Sequence, residues 1–293
     1  MDTCEESQQT KAASNYGSGA PWMFRGRAFY QMHLVKADVV RECIPKGLKL
    51  VQAFGYTLGG IYLAQYDDSP AGKFDELVVI AGTVWNWPTS CAWAARVLVN
   101  NKEARDHGRK EIGLPSHFAS FLKANIADKQ QQEQQLFPEQ WSRQKSQSEK
   151  RNKYKGRLEI TVSEQSNGLK IKTSMESNRD DRWMRPIMRF PLPSFSGCTK
   201  FQPDLLKYSC TIDCRVRFVN TAIISACNPN LSKNDYRISG TGYGTELEIK
   251  QKEESAERAA QKLTISVLSS RPIIAFAFDD MKMLVRAPVN GNK

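Results

Sequence analysis

Strand-length alternation recurs along nearly the whole chain and leaves little room for helix. GRAFYQMHLV sets Ala28, Tyr30 and Met32 against Phe29, Gln31 and His33, because successive side chains of an extended segment point to opposite faces. GYTLGGIYLAQY and ELVVIAGTVWN are β-rich runs joined by DDSPAGKFD, whose Asp, Ser, Pro and Gly mark a turn. AARVLV reads as another strand. The clearest hairpin is RLEITVSEQSNGLKIKT: Leu158, Ile160 and Val162 point one way, Ser166-Asn167-Gly168 turns the chain, and Leu169 and Ile171 return. KYSCTIDCRVRFVN, GTELEIK, KLTISVL and RPIIAFAFDDMKMLVRA are read as further strands. That many strands in one domain would leave unpaired edges unless the sheet curls or closes. The expected fold is therefore α+β: a mostly antiparallel, strongly curled or closed β-sheet with helices at its rim.

Two short helices are expected. ADVVRECIP starts at Asp38 as a cap and stops before Pro45. KEARDHGRKEI is capped by Asn101 and ended by Gly113 in the left-handed conformation. GTGYG at 240–244 lacks the spacing of a dinucleotide loop and precedes a run read as strand, so it reads as a turn. The organisation is a polar, disordered tail over 1–20, one domain over 21–288 with a Gln/Lys-rich insertion at about 126–155, and a short tail over 289–293.

The formal charge of +11 would suit an anionic partner, but charge alone steers and solubilises without defining a site. Much of it sits between Arg143 and Arg157, where Lys145, Lys150, Arg151, Lys153 and Lys155 face a single acid, Glu149. No nucleic-acid motif accompanies this stretch, so it reads as a solvated loop and no nucleic-acid partner is expected. The 7 cysteines are odd in number and form no CxxC. With 3 histidines there is no recognisable ligand quartet, so reduced structural thiols are expected and neither metal nor cofactor. The N-terminal residues carry Asp2, Glu5 and Glu6 and no arginine, unlike a transit peptide or a secretory signal. The longest uncharged run, Leu77 to Ala95, is broken by Asn86, Pro88, Thr89 and Ser90, so no membrane span is expected. A cytoplasmic location follows from these readings as an expectation.

PWMFRGRAFYQMHLVKADVVRECIPKGLKL, YDDSPAGKFDELVVIAG and VNNKEARDHGRKEIGLPSHFA resemble the acetoacetate decarboxylase superfamily in order and spacing, from about Pro21 to Phe121 and more weakly from Gly156 to Pro288. The resemblance implies a cone- or barrel-like sheet, a homo-oligomer, and a lysine that attacks the substrate carbonyl as a neutral amine to form a Schiff base. In that family a lysine pair follows a Gly-Arg-containing helix end and an aromatic-Pro step. Gly108-Arg109 and Leu114-Pro115 fit this frame, and Ser116 and His117 stand where the lysines would be. A hydroxyl or an imidazole forms no iminium. Arg27, in FRGRAFY, matches the arginine that faces the substrate carboxylate, and Glu76, in GKFDEL, the acid near the reactive lysine. Arg27, Glu76, Ser116 and His117 are thus the candidate ligand-binding residues.

A narrower likeness, over AFGYTLGGIYLAQYDDSPAGKFDELVVIAGTVWNWPTSCAWAARVLVN, is to a plant member of the superfamily required for making neoxanthin from violaxanthin. It implies a carotenoid-like ligand, an aromatic pocket rim drawn from Trp22, Trp85, Trp87 or Trp93, a role that is accessory and not the conversion itself, and association with plastids. The alternative is an enzyme on a small oxo acid, with Arg27 as carboxylate clamp and His117 or Glu76 as acid or base. Ser116 and His117 form no hydrolytic pair, since neighbours on an extended segment diverge. Incubation with acetoacetate and borohydride is expected to give no mass adduct and no CO2; a trapped adduct would locate a Schiff-base lysine that this reading lacks.

Overall fold

The computed structural model describes residues 15–125, 156–177, 186–228 and 245–291. The insertion at about 126–155 and the 240–244 turn lie outside the described residues. β1 (Trp22–Lys36) leads through α1 (Ala37–Arg41) to the meander β2 (Tyr56–Asp68), β3 (Phe74–Asn86) and β4 (Thr89–Val99). Then come α2 (Lys102–His107), a π-helical turn at Gly108–Ile112, β5 (Ser116–Asn125), β6 (Gly156–Glu164), β7 (Lys170–Ser177), β8 (Met188–Gly197), β9 (Leu205–Val219) and β10 (Ile223–Cys227). The long helix α3 (Thr245–Leu268), β11 (Arg271–Val285) and β12 (Val289–Asn290) complete the order.

Hydrogen bonding runs β4-β3-β2-β1-β11-β9-β8 and returns to β4 through the parallel pairs Ala92–Ser194 and Trp93–Phe195. The result is a closed barrel of 7 strands. A second sheet, β5-β6-β7-β10, leaves β4 where Val97, Leu98 and Val99 pair in parallel with Ser116, His117 and Phe118. β4 thus forks: its first half closes the barrel on β8 and its second half launches the other sheet.

Two cores lie on the two faces of the barrel wall. Inside are Phe24, Tyr62, Tyr66, Ile212, Met281 and Met283. Outside, Ile61, Leu63, Leu77 and Val79 pack with Leu263, Val267 and Leu268 of α3 and with Ile160, Val162 and Ile171 of the second sheet. Strands buried on both faces read as continuous apolar runs, as LVVIAG does.

Several sequence expectations are corrected. GTELEIK and KLTISVL are the two ends of α3, not strands. Leu263, Ile265 and Val267 alternate like a strand, but Leu263–Val267 and Thr264–Leu268 are equally one helix face at spacing four, and the Ala/Glu/Lys-rich ESAERAAQK between the two runs favours helix. Asp38 does not cap α1; Lys36 occupies that position and Asp38 accepts from Arg41 in the first turn. Residues 15–20 belong to the folded body: Asn15–Ser18 form a short 3-10 turn, and Tyr16 stacks on His107 with ring centroids 3.7 Å apart. Past 288, Val289 and Asn290 pair with Lys207 and Leu206. Asn101 caps α2 by accepting from the Ala104 N–H, and Gly113 has φ 76°, as the sequence suggested. The described cysteines are free thiols, with Cys91, Cys210 and Cys214 buried.

Two polar contacts fasten α3 to the wall. Gln31 Oε1 accepts from Ala222 N–H, which leaves its amide nitrogen to donate to His33 Nε2, 2.8 Å away. The His33 proton then sits on Nδ1, 3.1 Å from the Val267 carbonyl at the end of α3. Burial lowers the His33 pKa, which keeps this neutral tautomer. The second contact is ionic. Arg96 of β4, 1% exposed, donates to both oxygens of Glu164 at 3.1 and 3.2 Å and also to Glu257 of α3. Burial pushes the Glu164 carboxyl up, but His117 and Arg96 outweigh it and hold the pKa below its usual value. Glu164 therefore stabilises the fold above the ordinary carboxylate pKa, and this contribution is lost as pH falls through the depressed folded value. Arg96→Met strands a buried carboxylate and is expected to cost about 3–5 kcal/mol in urea unfolding at neutral pH, with a smaller penalty in acid where Glu164 is protonated.

Candidate functional site

The barrel interior is not filled. A cavity of about 400 Å³ runs through it, within the range of small-molecule sites. Its lining repeats strand by strand: Phe24, Tyr30 and Met32 of β1, Leu58, Tyr62 and Tyr66 of β2, Glu76, Val78, Ile80 and Thr83 of β3. The step from Ile80 to Thr83 breaks the alternation at a β3–β4 register shift, which re-aims the end of the strand. From Glu76 to Thr83 is seven residues, about 23 Å of strand, so the cavity is elongated.

Its inner end is polar. Tyr66 donates to Glu76 Oε2 at 2.8 Å. Desolvation raises the Glu76 pKa to about 7, a shift that the Tyr66 hydrogen bond partly opposes. Glu76 is half-buried, open to the cavity but deep within the barrel. Burial pushes the phenols of Tyr62, Tyr66 and Tyr208 up, so they stay neutral donors. Among the described residues lining the cavity there is no lysine and no arginine.

The four sequence candidates divide. Glu76 and Ser116 line the cavity. Arg27 does not: it is exposed, and donates to Gln65 Oε1 at 2.9 and 3.1 Å. Phe24, Tyr30 and Met32 of β1 face the cavity, and Arg27 stands an odd number of residues from each of them, on the opposite face of the strand. His117 does not either. Its Nδ1 lies 2.9 Å from Glu164 on the opposite face of β5. His117, Glu164 and Glu257 bring ligand atoms within 4.8 Å of one another, but Arg96 bonds both carboxylates, so the cation of this cluster is a guanidinium.

The fork of β4 explains why the pair diverges. Arg109 donates from Nε to the Ser116 carbonyl at 2.6 Å while its guanidinium lies over the Phe201 ring. The π-helical turn brings Gly108 against Ser116 Oγ, and Gly113 packs against Gly197 so closely that a Cβ would sit 2.8 Å from the Gly197 nitrogen. Ser116 is thereby pressed into the barrel wall, and His117 turns to the second sheet.

Sequence reasoning missed the tyrosines and His107. Burial lowers the His107 pKa to about 4, and it stands edge-on to Trp22, its ring centroid 4.4 Å away. The inward parity of Tyr62 and Tyr66 was visible in GYTLGGIYLAQY, but only barrel closure makes that face a cavity. Of the tryptophans expected at a pocket rim, none is among the described lining residues: Trp22 packs in the inner core, Trp93 in the outer core, and Trp85 and Trp87 are exposed on the hairpin whose Ser90 and Cys91 line the cavity.

Because the folded pKa of Glu76 lies above its unfolded value, ionising it costs stability; the cost is absent below about pH 4.5 and full above pH 7. Glu76→Gln, which keeps an acceptor for Tyr66, is expected to gain up to about 3 kcal/mol over the parent at pH 8 relative to pH 4.5. Parallel unfolding curves across this range would show that Glu76 does not titrate near neutrality.

No family model matches the chain. It is 47% identical over 289 residues to Protein NEOXANTHIN-DEFICIENT 1 of Oryza sativa subsp. japonica, covering 96% of this chain and 92% of the rice protein. The protein of that name from Solanum lycopersicum is 46% identical over 297 residues, covering 97% and 96%, and the one from Arabidopsis thaliana 44% over 289 residues, covering 96% and 97%. Acetoacetate decarboxylase from Legionella pneumophila superposes with a TM-score of 0.54 at 11% identity, over 94% of this chain and 90% of that one. The enduracididine biosynthesis enzyme MppR, complexed with pyruvate, gives 0.51 at 13%, over 92% and 90%. At such identities these structures speak for the fold alone. With near-full-length identity to three plant proteins and the decarboxylase-like barrel, this chain belongs to the NEOXANTHIN-DEFICIENT 1 family.

Proposed function

We propose that the protein supports neoxanthin formation as an accessory, ligand-binding member of its family, holding the oxygenated end of a xanthophyll in the barrel cavity without itself converting violaxanthin to neoxanthin. The observation that carries this reading is the character of the cavity: long, walled by aromatic and aliphatic side chains, free of lysine and arginine among the described lining residues, and ending at Glu76. A carboxylate ligand would find no cation there to balance it. A hydroxylated or epoxidised ring would find a carboxyl that donates or accepts according to its protonation, with phenols beside it. A whole carotenoid exceeds 400 Å³, so an end ring enters and the polyene extends toward the open end. The lysine pair of the wider superfamily has no counterpart at Ser116-His117, which supports binding over Schiff-base chemistry.

A second reading retains one specific support. A carboxyl with a pKa near 7 beside a tyrosine suits a general acid or base, so acid–base chemistry on a small oxo acid centres on Glu76, and no longer on Arg27 or His117. Purified protein is expected to bind violaxanthin with a shift in its visible absorption, and to do so about tenfold more weakly as Ile80→Glu, which places a second acid in the wall. Failure to bind any xanthophyll, together with oxo-acid turnover that inflects near pH 7 and disappears in Glu76→Gln, would replace the first reading with the second.

A further inference from the structure

The outer end of the cavity opens beside the tip of the β3–β4 hairpin. Leu58, Ser90, Pro191 and Leu192 line the cavity and are also exposed, so they form its rim. Trp85 is paired across the hairpin with Ser90. It is 49% exposed, and Trp87 at the tip is 86% exposed. Two indoles held in water at the mouth of an apolar cavity mark a contact surface.

The charged residues within the segments that frame this mouth are lysines. The chain between 45 and 58 folds along the hairpin, with the backbone N–H of Trp85 donating to the Lys49 carbonyl at 2.8 Å. Lys46 and Lys49 are exposed, and Lys207 donates to Asn86 at the hairpin tip. Across 45–58, 83–93 and 190–197 there is no aspartate or glutamate. Indoles settle at the level of lipid headgroups, and lysines beside them reach anionic phosphates. The combination of apolar rim, indoles and acid-free lysines complements an anionic bilayer in both polarity and charge.

We propose that the barrel mouth docks on the surface of an anionic lipid bilayer, with Trp85 and Trp87 in the headgroup layer, so that an apolar ligand passes between membrane and cavity without crossing water. The transfer step rests on the apolar-ligand reading above; the docking stands on the mouth itself. The contact proposed is with the interface, at the depth where indoles settle; no described helix is long and apolar enough to cross a membrane.

The test is sedimentation of the full chain with vesicles of phosphatidylcholine alone or mixed with phosphatidylglycerol, with tryptophan emission recorded in parallel. The parent is expected to bind the mixed vesicles with a blue shift. Trp85→Ser/Trp87→Ser leaves every charge in place, including those of the Gln/Lys-rich insertion, and is expected to bind about tenfold or more weakly. Lys46→Glu/Lys49→Glu is expected to lose the preference for anionic lipid, whereas Leu122→Ser/Phe218→Ser, which alters exposed apolar residues outside the cavity lining, is expected to bind as the parent does. Equal binding by the parent and the tryptophan variant overturns the proposal. So does a parent that ignores vesicles but forms a dimer that the tryptophan variant cannot, which would make the mouth an interface between copies. Vesicle binding without xanthophyll uptake supports the docking surface and removes the ligand reading; xanthophyll uptake from detergent without vesicle binding does the reverse.

Discussion

One edge of β4 cannot hydrogen-bond two strands over the same residues, and the architecture follows from how that edge is shared. Residues 92–93 pair with β8 and complete the barrel, and residues 97–99 pair with β5 and start the second sheet. At the branch, Gly113 and Gly197 touch, the Gly197 N–H bonds the Gly113 carbonyl, and the Ser196 hydroxyl bonds the Ile112 carbonyl. Those contacts satisfy backbone groups that the diverging strands leave behind. Because the branch falls at the head of β5, two neighbouring residues are split between two compartments, Ser116 to the cavity and His117 to the Glu164 cluster.

The two compartments treat charge in opposite ways. Outside the wall, Arg96 meets Glu164 and Glu257, and Ser166 and Asn167 add hydrogen bonds, so buried ions are paired and joined to α3. Inside, Glu76 has one phenolic donor and no cationic partner among the described lining residues, and desolvation brings its pKa to neutrality. Paired charge serves fixation of the helix and second sheet. An unpaired, adjustable charge at the end of an apolar tunnel is the feature on which the proposed ligand reading rests. The shared barrel relates this chain to acetoacetate decarboxylase at the level of fold, and a fold by itself does not fix a function.

Much of this was legible in the chain. Alternation in GRAFYQMHLV and the SNG turn between β6 and β7 follow from local stereochemistry, as do the Asn101 cap and the Gly113 helix end, and each depends on residues a few positions apart. The superfamily likeness carried the strongly curled, closed sheet. The strand readings of GTELEIK and KLTISVL failed because a seven-residue window cannot separate alternation from a four-residue helical repeat.

The sequence alone determined that strands dominate, that the sheet must hide its edges, and that a serine and a histidine follow Pro115. Tertiary structure decided that Arg27 faces solvent, that His117 serves an ion pair, and that Tyr16, Tyr66 and His107 meet Glu76's cavity instead. The reason is closure: whether an alternating face looks into a tunnel or onto a helix is set by which distant strand completes the ring, and by the register shift that changes facing along β3.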